Sequence, residues 1–436
     1  MRRCLAMIAA LALALAFPAT PDHSGGHFPW ADGQRVVFLG DSITQAGHYI
    51  EDLEAYLYTR FPDRKYDILN LGLSAETASG LNEPGIGQPR PEILERLDRI
   101  LQRTRPNLVF VCYGMNDGIY HPPDPERLRA YQSGMNQVID RIQRDGADCT
   151  VLTPPPFDPR PILDRVRPIG ARGYSYHTPF SAYDTVLNSF SDWLVSKRSV
   201  GWSVIDLHGA LNRAVDTIVL TNPGFTISPD GVHPDASGHW LMAQEILRSW
   251  NVPAEVDSAT INIQAQEPPT GSIAMIRDGA RIKLSWKTRI PMPHDPEWNF
   301  PLDELVKIDD RFNRHRLAVK GLESGRYTLL EDRGPGQEPT HLGSFGSAEL
   351  ARGLNLIRLP ELSTNRRATR LRERVVERHR LLNLAWVEAI GHVPPRPENV
   401  PTLSEAQEQA RILEAEIKTL ARPTVITLTL APETGK

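Results

Sequence analysis

Cysteine is scarce, three residues in 436. A chain this long, 40% hydrophobic, holds enough apolar material for a large core without covalent staples. Cys112 and Cys149 lie in apolar, strand-like segments and read as buried thiols rather than a disulfide. No cysteine and histidine pair has zinc spacing, so no metal is expected. An excess of one charge is also missing: 49 Lys and Arg stand against 53 Asp and Glu, a net −4, which gives nucleic acid no electrostatic hold. No internal repeat is present. Runs long enough to cross a membrane are missing too. The longest, Cys4–Phe17, has 14 residues against the roughly 20 a spanning helix needs, so no stable membrane insertion is expected.

That run instead reads as the middle of a secretory signal over residues 1–20. Arg2 and Arg3 precede it, and small residues with Pro18 follow. Cleavage is expected between Ala16 and Thr20, and export to the periplasm or beyond; an uncleaved anchor is the alternative.

From Arg35 to Trp250 short apolar runs alternate with amphipathic stretches. Strands are expected at Arg35–Leu39, Tyr66–Leu71, Asn107–Tyr113, Cys149–Thr153 and Ser203–Leu207, each apolar on both faces. Helical stripes run Ile93–Leu101, Leu128–Ile142 and Tyr183–Leu194. Alternation of this kind predicts an α/β fold with a doubly wound parallel sheet, in which ligands bind at the carboxyl ends of the strands. Thr153–Pro168 carries six prolines and cannot be a regular helix. It is either a wall of the site or a rigid surface loop.

After about residue 255 the pattern changes to short, partly alternating runs: Ile261–Gln264, Arg281–Trp286, Arg316–Lys320, Arg326–Leu330, Asn355–Leu359 and Val425–Leu430. These suggest a small antiparallel β-sandwich-like region. Two helices interrupt it over about 362–422. The first is marked by Leu371, Val375, Leu382 and Trp386; the second begins at Ser404, with Gln407 closing a capping box. The arginines between Arg366 and Arg374 read as a solvated face or interdomain contact. The expected division is therefore a signal at 1–20, a catalytic domain at 30–252 and an accessory region at 258–436.

Chemistry concentrates on the expected rim of the sheet. The first strand ends in Gly40-Asp41-Ser42, placing a hydroxyl where a nucleophile belongs, although serine is also a common helix cap. The second ends near Gly72 and the third in Gly114-Met115-Asn116-Asp117. The Ser42 and Gly72 backbone amides and the Asn116 side chain are candidate donors to one oxyanion. After the last strand comes Asp230-Gly231-Val232-His233-Pro234. The three-residue spacing lets Asp230 orient the His233 imidazole while its other nitrogen faces Ser42. Asp41 and Asp117 are expected to support their turns by hydrogen bonding, with Gly114 beside them. His208 could line the cleft but reads as structural.

These four blocks, in this order, resemble those of the SGNH hydrolases, the GDSL esterase and lipase family. The resemblance covers about Arg35 to Trp250 and implies a flavodoxin-like sheet and a serine ester hydrolase without metal or cofactor. It implies Ser42 as nucleophile, His233 as general base and acid, Asp230 as its orienter, and Ser42, Gly72 and Asn116 as the oxyanion hole. Ile43-Thr44 after the serine resembles the short, secreted branch, which includes carbohydrate acetylesterases. A small-molecule or glycan ester is the implied substrate, short acyl groups on a carbohydrate foremost. Esters of longer acyl chains are one alternative. A binding or assembly protein with a vestigial hydrolase half is the other.

Overall fold

Five short apolar runs pair side by side, all parallel, in the computed structural model that describes residues 31–83, 89–265, 269–390 and 401–433. The strands are β1 (Arg35–Gly40), β2 (Asp67–Asn70), β3 (Leu108–Cys112), β4 (Asp148–Leu152) and β5 (Ser203–Ile205). Their order is β2-β1-β3-β4-β5, the doubly wound flavodoxin-like arrangement. Helices α1 (Ser42–Ala46), α2 (His48–Arg60), α3 (Leu97–Thr104), α4 (Pro125–Arg144), α5 (Asp184–Ser196), α6 (Leu207–Val219) and α7 (Ala236–Ser249) accompany it. Val36 to Leu39 and Val109 to Val111 are wholly buried, which is why these runs are apolar without alternation. On α4, Tyr131, Met135, Val138, Ile139 and Ile142 form the buried stripe.

The C-terminal region is built on two further sheets. Its strands are β6 (Glu255–Asn262), β7 (Ile273–Asp278), β8 (Arg281–Thr288), β9 (Arg314–Lys320), β10 (Arg326–Glu331), β11 (Thr340–Gly346), β12 (Leu354–Asn355) and β13 (Thr424–Pro432). One sheet runs β11-β10-β13-β8-β7 and is antiparallel; the other runs β12-β9-β6. Their inner faces share a second core containing Ile261, Leu284, Trp286, Leu317, Val319 and Leu428. Four helices complete it: α8 (Leu302–Phe312), α9 (Ser347–Arg352), α10 (Ser363–Ala389) and α11 (Leu403–Ala421).

Three expectations for this region need correction. The sandwich is not purely antiparallel, because β6 and β9 pair in parallel across the long connection through β7, β8 and α8. Asn355–Leu359 is not a strand: after the two-residue β12 the chain turns, and the Asn365 side-chain amide bonds the carbonyls of Leu356, Ile357 and Leu359 that a neighbouring strand would have taken. The capping box lies two residues earlier than expected. Thr402 accepts from the Glu405 N–H while the Glu405 carboxylate accepts from the Thr402 N–H.

The inserted helices do not stay with their own sandwich. Helix α10 packs on α2 and β2 of the parallel sheet, and α11 also reaches α2. Every residue of α2 from Tyr49 to Arg60 is buried as a result, including Glu51, Asp52, Glu54 and Arg60. Glu54 is held by Arg378 at 3.0 Å and by the His379 ring, and Arg372 bonds Asp295. Burial alone would push the Glu54 carboxyl up, but Arg378 and His379 outweigh it and hold it below the ordinary carboxylate range. From the other side, Arg60 Nη2 donates to the Phe312 carbonyl at 2.7 Å. Residues 1–20 lie outside the described residues. Among the described residues no helix is long and apolar enough to cross a membrane, and Cys112 and Cys149 are free thiols.

Candidate active site

The β1 strand can end in a tight turn only because Gly40 has no side chain: a Cβ there would sit 2.2 Å from Thr44 Oγ1 and 2.7 Å from the Cys112 carbonyl. Asp41 then caps α1, its Oδ1 accepting from the Ile43 N–H at 3.0 Å. Ser42 becomes the first residue of α1, half-exposed, with an amide that has no intrahelical acceptor. Asp41 is buried, which pushes its carboxyl up to about 7; the Ile43 N–H opposes that shift.

Across the sheet, the turn before α7 delivers the imidazole. Asp230 Oδ1 accepts the backbone N–H groups of Val232 (2.9 Å) and His233 (2.7 Å), which folds the turn back on itself. Asp230 Oδ2 lies 2.7 Å from His233 Nδ1, and His233 Nε2 lies 2.8 Å from Ser42 Oγ. An ionised carboxylate only accepts, so Nδ1 carries the proton and Nε2 is free to accept from the Ser42 hydroxyl. Burial works against the Asp230 charge, but the His233 ring and the two backbone donors outweigh it and hold the carboxyl well below its usual range. The bond to Asp230 raises His233 above its ordinary 6.5, against a smaller opposing effect of burial. The pair is reachable from solvent, with His233 and Asp230 side chains 38% and 37% exposed.

The donors expected for an oxyanion are unequal. Asn116 is buried, with Nδ2 donating to the Glu76 carbonyl at 3.2 Å and Oδ1 accepting from Tyr120 Oη at 2.9 Å; its second amide hydrogen is uncommitted. Gly72 is a correction. Its N–H donates to Asn70 Oδ1 at 3.0 Å, and a Cβ on it would lie 2.3 Å from the Gln45 nitrogen. Gly72 therefore serves the close approach of the β2 turn to α1, not an anion. Three residues on, after the exposed Ser74, Ala75 takes the left-handed conformation at φ 63°, and its N–H has no acceptor among the described residues. A β-carbon held at positive φ beside a site is the signal that sequence reasoning lacked.

The supporting residues are inside. Asp117 Oδ1 accepts from the amides of Ala78 (2.9 Å) and Ser79 (2.7 Å), joining the second turn to the third, and burial pushes its carboxyl up to about 6. Gly114, at φ 144°, leaves room for Pro154, whose Cγ would lie 2.7 Å from a Cβ. His208 is buried against Asp184 at 3.1 Å, away from this chain of bonds. The proline-rich segment does meet the site: the Asp158 N–H donates to the Gly231 carbonyl and Arg165 to the Asp230 carbonyl. Beyond it, Tyr176 Oη donates to Asp230 Oδ2 at 3.3 Å, a contact no motif announced.

Residues 38–241 match the family model described as GDSL-like lipase/acylhydrolase. No curated protein matches. Among solved structures, a gut microbial diltiazem-metabolizing enzyme is 18% identical with a TM-score of 0.74, the match covering 94% of this chain and 99% of that one. An acetylxylan esterase from Geobacillus stearothermophilus is 15% identical over 52% of this chain and 98% of its own, with a TM-score of 0.39. A further acetyl xylan esterase is 18% identical over 49% and 98%, with a TM-score of 0.37. Parallel sheet and family model agree: residues 38–241 form a GDSL-like lipase/acylhydrolase domain, followed by a C-terminal extension.

Proposed function

We propose that this protein is an exported serine ester hydrolase that removes acetyl or other short acyl groups from a carbohydrate. The observation that carries the chemistry is the unbroken chain Ser42 Oγ, His233 Nε2, His233 Nδ1, Asp230 Oδ2, with links of 2.8 and 2.7 Å. His233 takes the proton from Ser42 as the oxygen attacks the ester carbonyl, then returns it to the departing alcohol. Water, activated by the same imidazole, releases the acid and restores the hydroxyl. Asp230 keeps the proton on Nδ1 throughout. The developing oxyanion is met by the Ser42 and Ala75 amides and the free Asn116 hydrogen, with Ala75 standing where Gly72 was expected.

The N-terminal signal-like run supports export, which would bring the enzyme among polysaccharides. The partial exposure of His233 and Asp230 is compatible with a bulky alcohol. The test is a fluorophosphonate probe, expected to label Ser42, followed by a panel of acetylated oligosaccharides against longer acyl esters. Failure to label Ser42 would remove the hydrolase reading. Action on long chains alone would leave the chemistry and reject the carbohydrate. Export is read by fractionating cells that carry the full chain or one lacking residues 1–20.

A further inference from the structure

Two tyrosines touch the two polar arms of the site from behind. Tyr120 is wholly buried and donates to Asn116 Oδ1 at 2.9 Å. It is held there at backbone cost: Ile119 and Tyr120 are consecutive non-glycine residues at φ 45° and 57°, and for a β-branched isoleucine that region is a genuine outlier. Tyr176 donates to Asp230 Oδ2, and its ring stands edge-on to Tyr120 (5.7 Å) and to His233 (6.1 Å). One buried ion pair braces both. Glu83 accepts from Arg90 at 2.6 Å and, through Oε1, from the Tyr176 N–H at 2.8 Å. Arg90 lies over the Tyr120 ring at 5.6 Å and donates to the Ala75 carbonyl at 3.3 Å.

We propose that Tyr120 and Tyr176 are paired positioning residues, Tyr120 turning the Asn116 amide hydrogens toward the oxyanion and Tyr176 holding the Asp230 carboxylate on His233, with Arg90–Glu83 as their common brace. A carboxamide without a fixed partner on its oxygen can present either end to the substrate, and only the nitrogen end donates. Tyr120 on the oxygen, with the Glu76 carbonyl on one amide hydrogen, removes that freedom. Tyr176 occupies part of the electron density of Asp230 Oδ2, which moderates how strongly that oxygen draws the Nδ1 proton. The titratable and charged groups around His233 are Asp230 and Tyr176, Asp41 and His239 by longer-range charge, and Arg165 on the Asp230 carbonyl.

The inference rests on the reading of the site as an esterase only for its kinetic half, so the experiment reads both halves. In Y176F, Asp230 loses a donor, becomes more basic and stabilises the imidazolium better. The His233 titration followed by NMR on the folded protein should move to higher pH by on the order of half a unit, and the acid limb of kcat/KM for 4-nitrophenyl acetate should move with it. In Y120F, kcat should fall about 10-fold or more with KM within a factor of two and no movement of the limb. E83Q keeps an oxygen for the Tyr176 N–H but loses the charge that holds Arg90, and should lower kcat less than Y120F. It stands in for Y120F should that variant fail to fold. A His233 titration in Y176F that superimposes on wild type overturns the Tyr176 role. Unchanged kcat in Y120F, or in E83Q where Y120F does not fold, overturns the Tyr120 role. If wild type hydrolyses no ester while Y176F still moves His233, the proposed function fails and the Tyr176 contact stands.

Discussion

The parallel-sheet domain and the C-terminal extension both bury charged side chains, but to different ends. In the first, buried polar groups gather at the carboxyl rim, where Asn116 and Asp117 tie the third strand-end turn to the second and Asp41 caps its own. In the second, Arg378 and His379 have little to do with their own sandwich and instead neutralise Glu54 on the other domain's helix. A carboxylate in a low-dielectric setting is costly unless paired, so Glu54 is interior because α10 supplies Arg378 and His379. The likeness to a solved fold spans both regions, 94% of this chain, so the joint belongs to the architecture and is not a loose appendage.

The comparison breaks first at the site. Ser42→Ala and His233→Ala are each expected to lower turnover by on the order of 10⁴-fold or more while the melting temperature stays near wild type, measured by ester hydrolysis and calorimetry. Asp230→Asn should cost about as much, since the wrong imidazole tautomer then faces Ser42. Its residual activity should extend to lower pH, because in the proposed mechanism the wild-type rate requires neutral His233 and is lost as pH falls through that group's raised value, above 6.5.

At the joint the effect should appear in stability instead. Arg378→Ala leaves Glu54 buried with less compensation and should cost about 3–5 kcal/mol in urea unfolding, with kcat of the folded fraction unchanged. Deleting residues 255–436 should yield insoluble protein, because α2 would expose a face that is buried on all sides in the full chain; a soluble and active truncation would overturn this. Glu54 is held below its ordinary range, so its contribution is present above that range and is lost as pH falls through the depressed value. Acid unfolding of wild type should accordingly be sharper than that of Glu54→Gln. Smallest is Thr402→Ala, removing one arm of the α11 capping box for about 1 kcal/mol.

Legibility differed between the regions for a physical reason. Parallel strands covered on both faces are apolar throughout, so β1 to β5 stand out within a residue or two of their observed ends. In the sandwich, β8 alternates cleanly, with Ile282, Leu284, Trp286 and Thr288 inside, and was readable. The edge strands β7 and β11 were not, because an edge with one half-buried face has no strict period. Helix α2 was obscured for the opposite reason. Its Glu51, Asp52 and Glu54 look like a solvated face, and only helices some three hundred residues away make them interior.

The sequence by itself determined the five strands of the parallel sheet and the chemistry at their ends, since local periodicity and turn residues are short-range properties. Ser42, Asn116, Asp230 and His233 could be named because hydroxyl, amide, carboxylate and imidazole are recognisable by type. What only the tertiary structure decided is which hydrogen-bonding groups remain free once the chain has folded. Gly72 gives its amide to Asn70, Ala75 keeps its own, Tyr120 bends back on Asn116 within one turn, and Tyr176 reaches Asp230 from a loop that shares no pattern with it. A hydrogen bond depends on position to within a few tenths of an ångström, and no spacing along a chain encodes that.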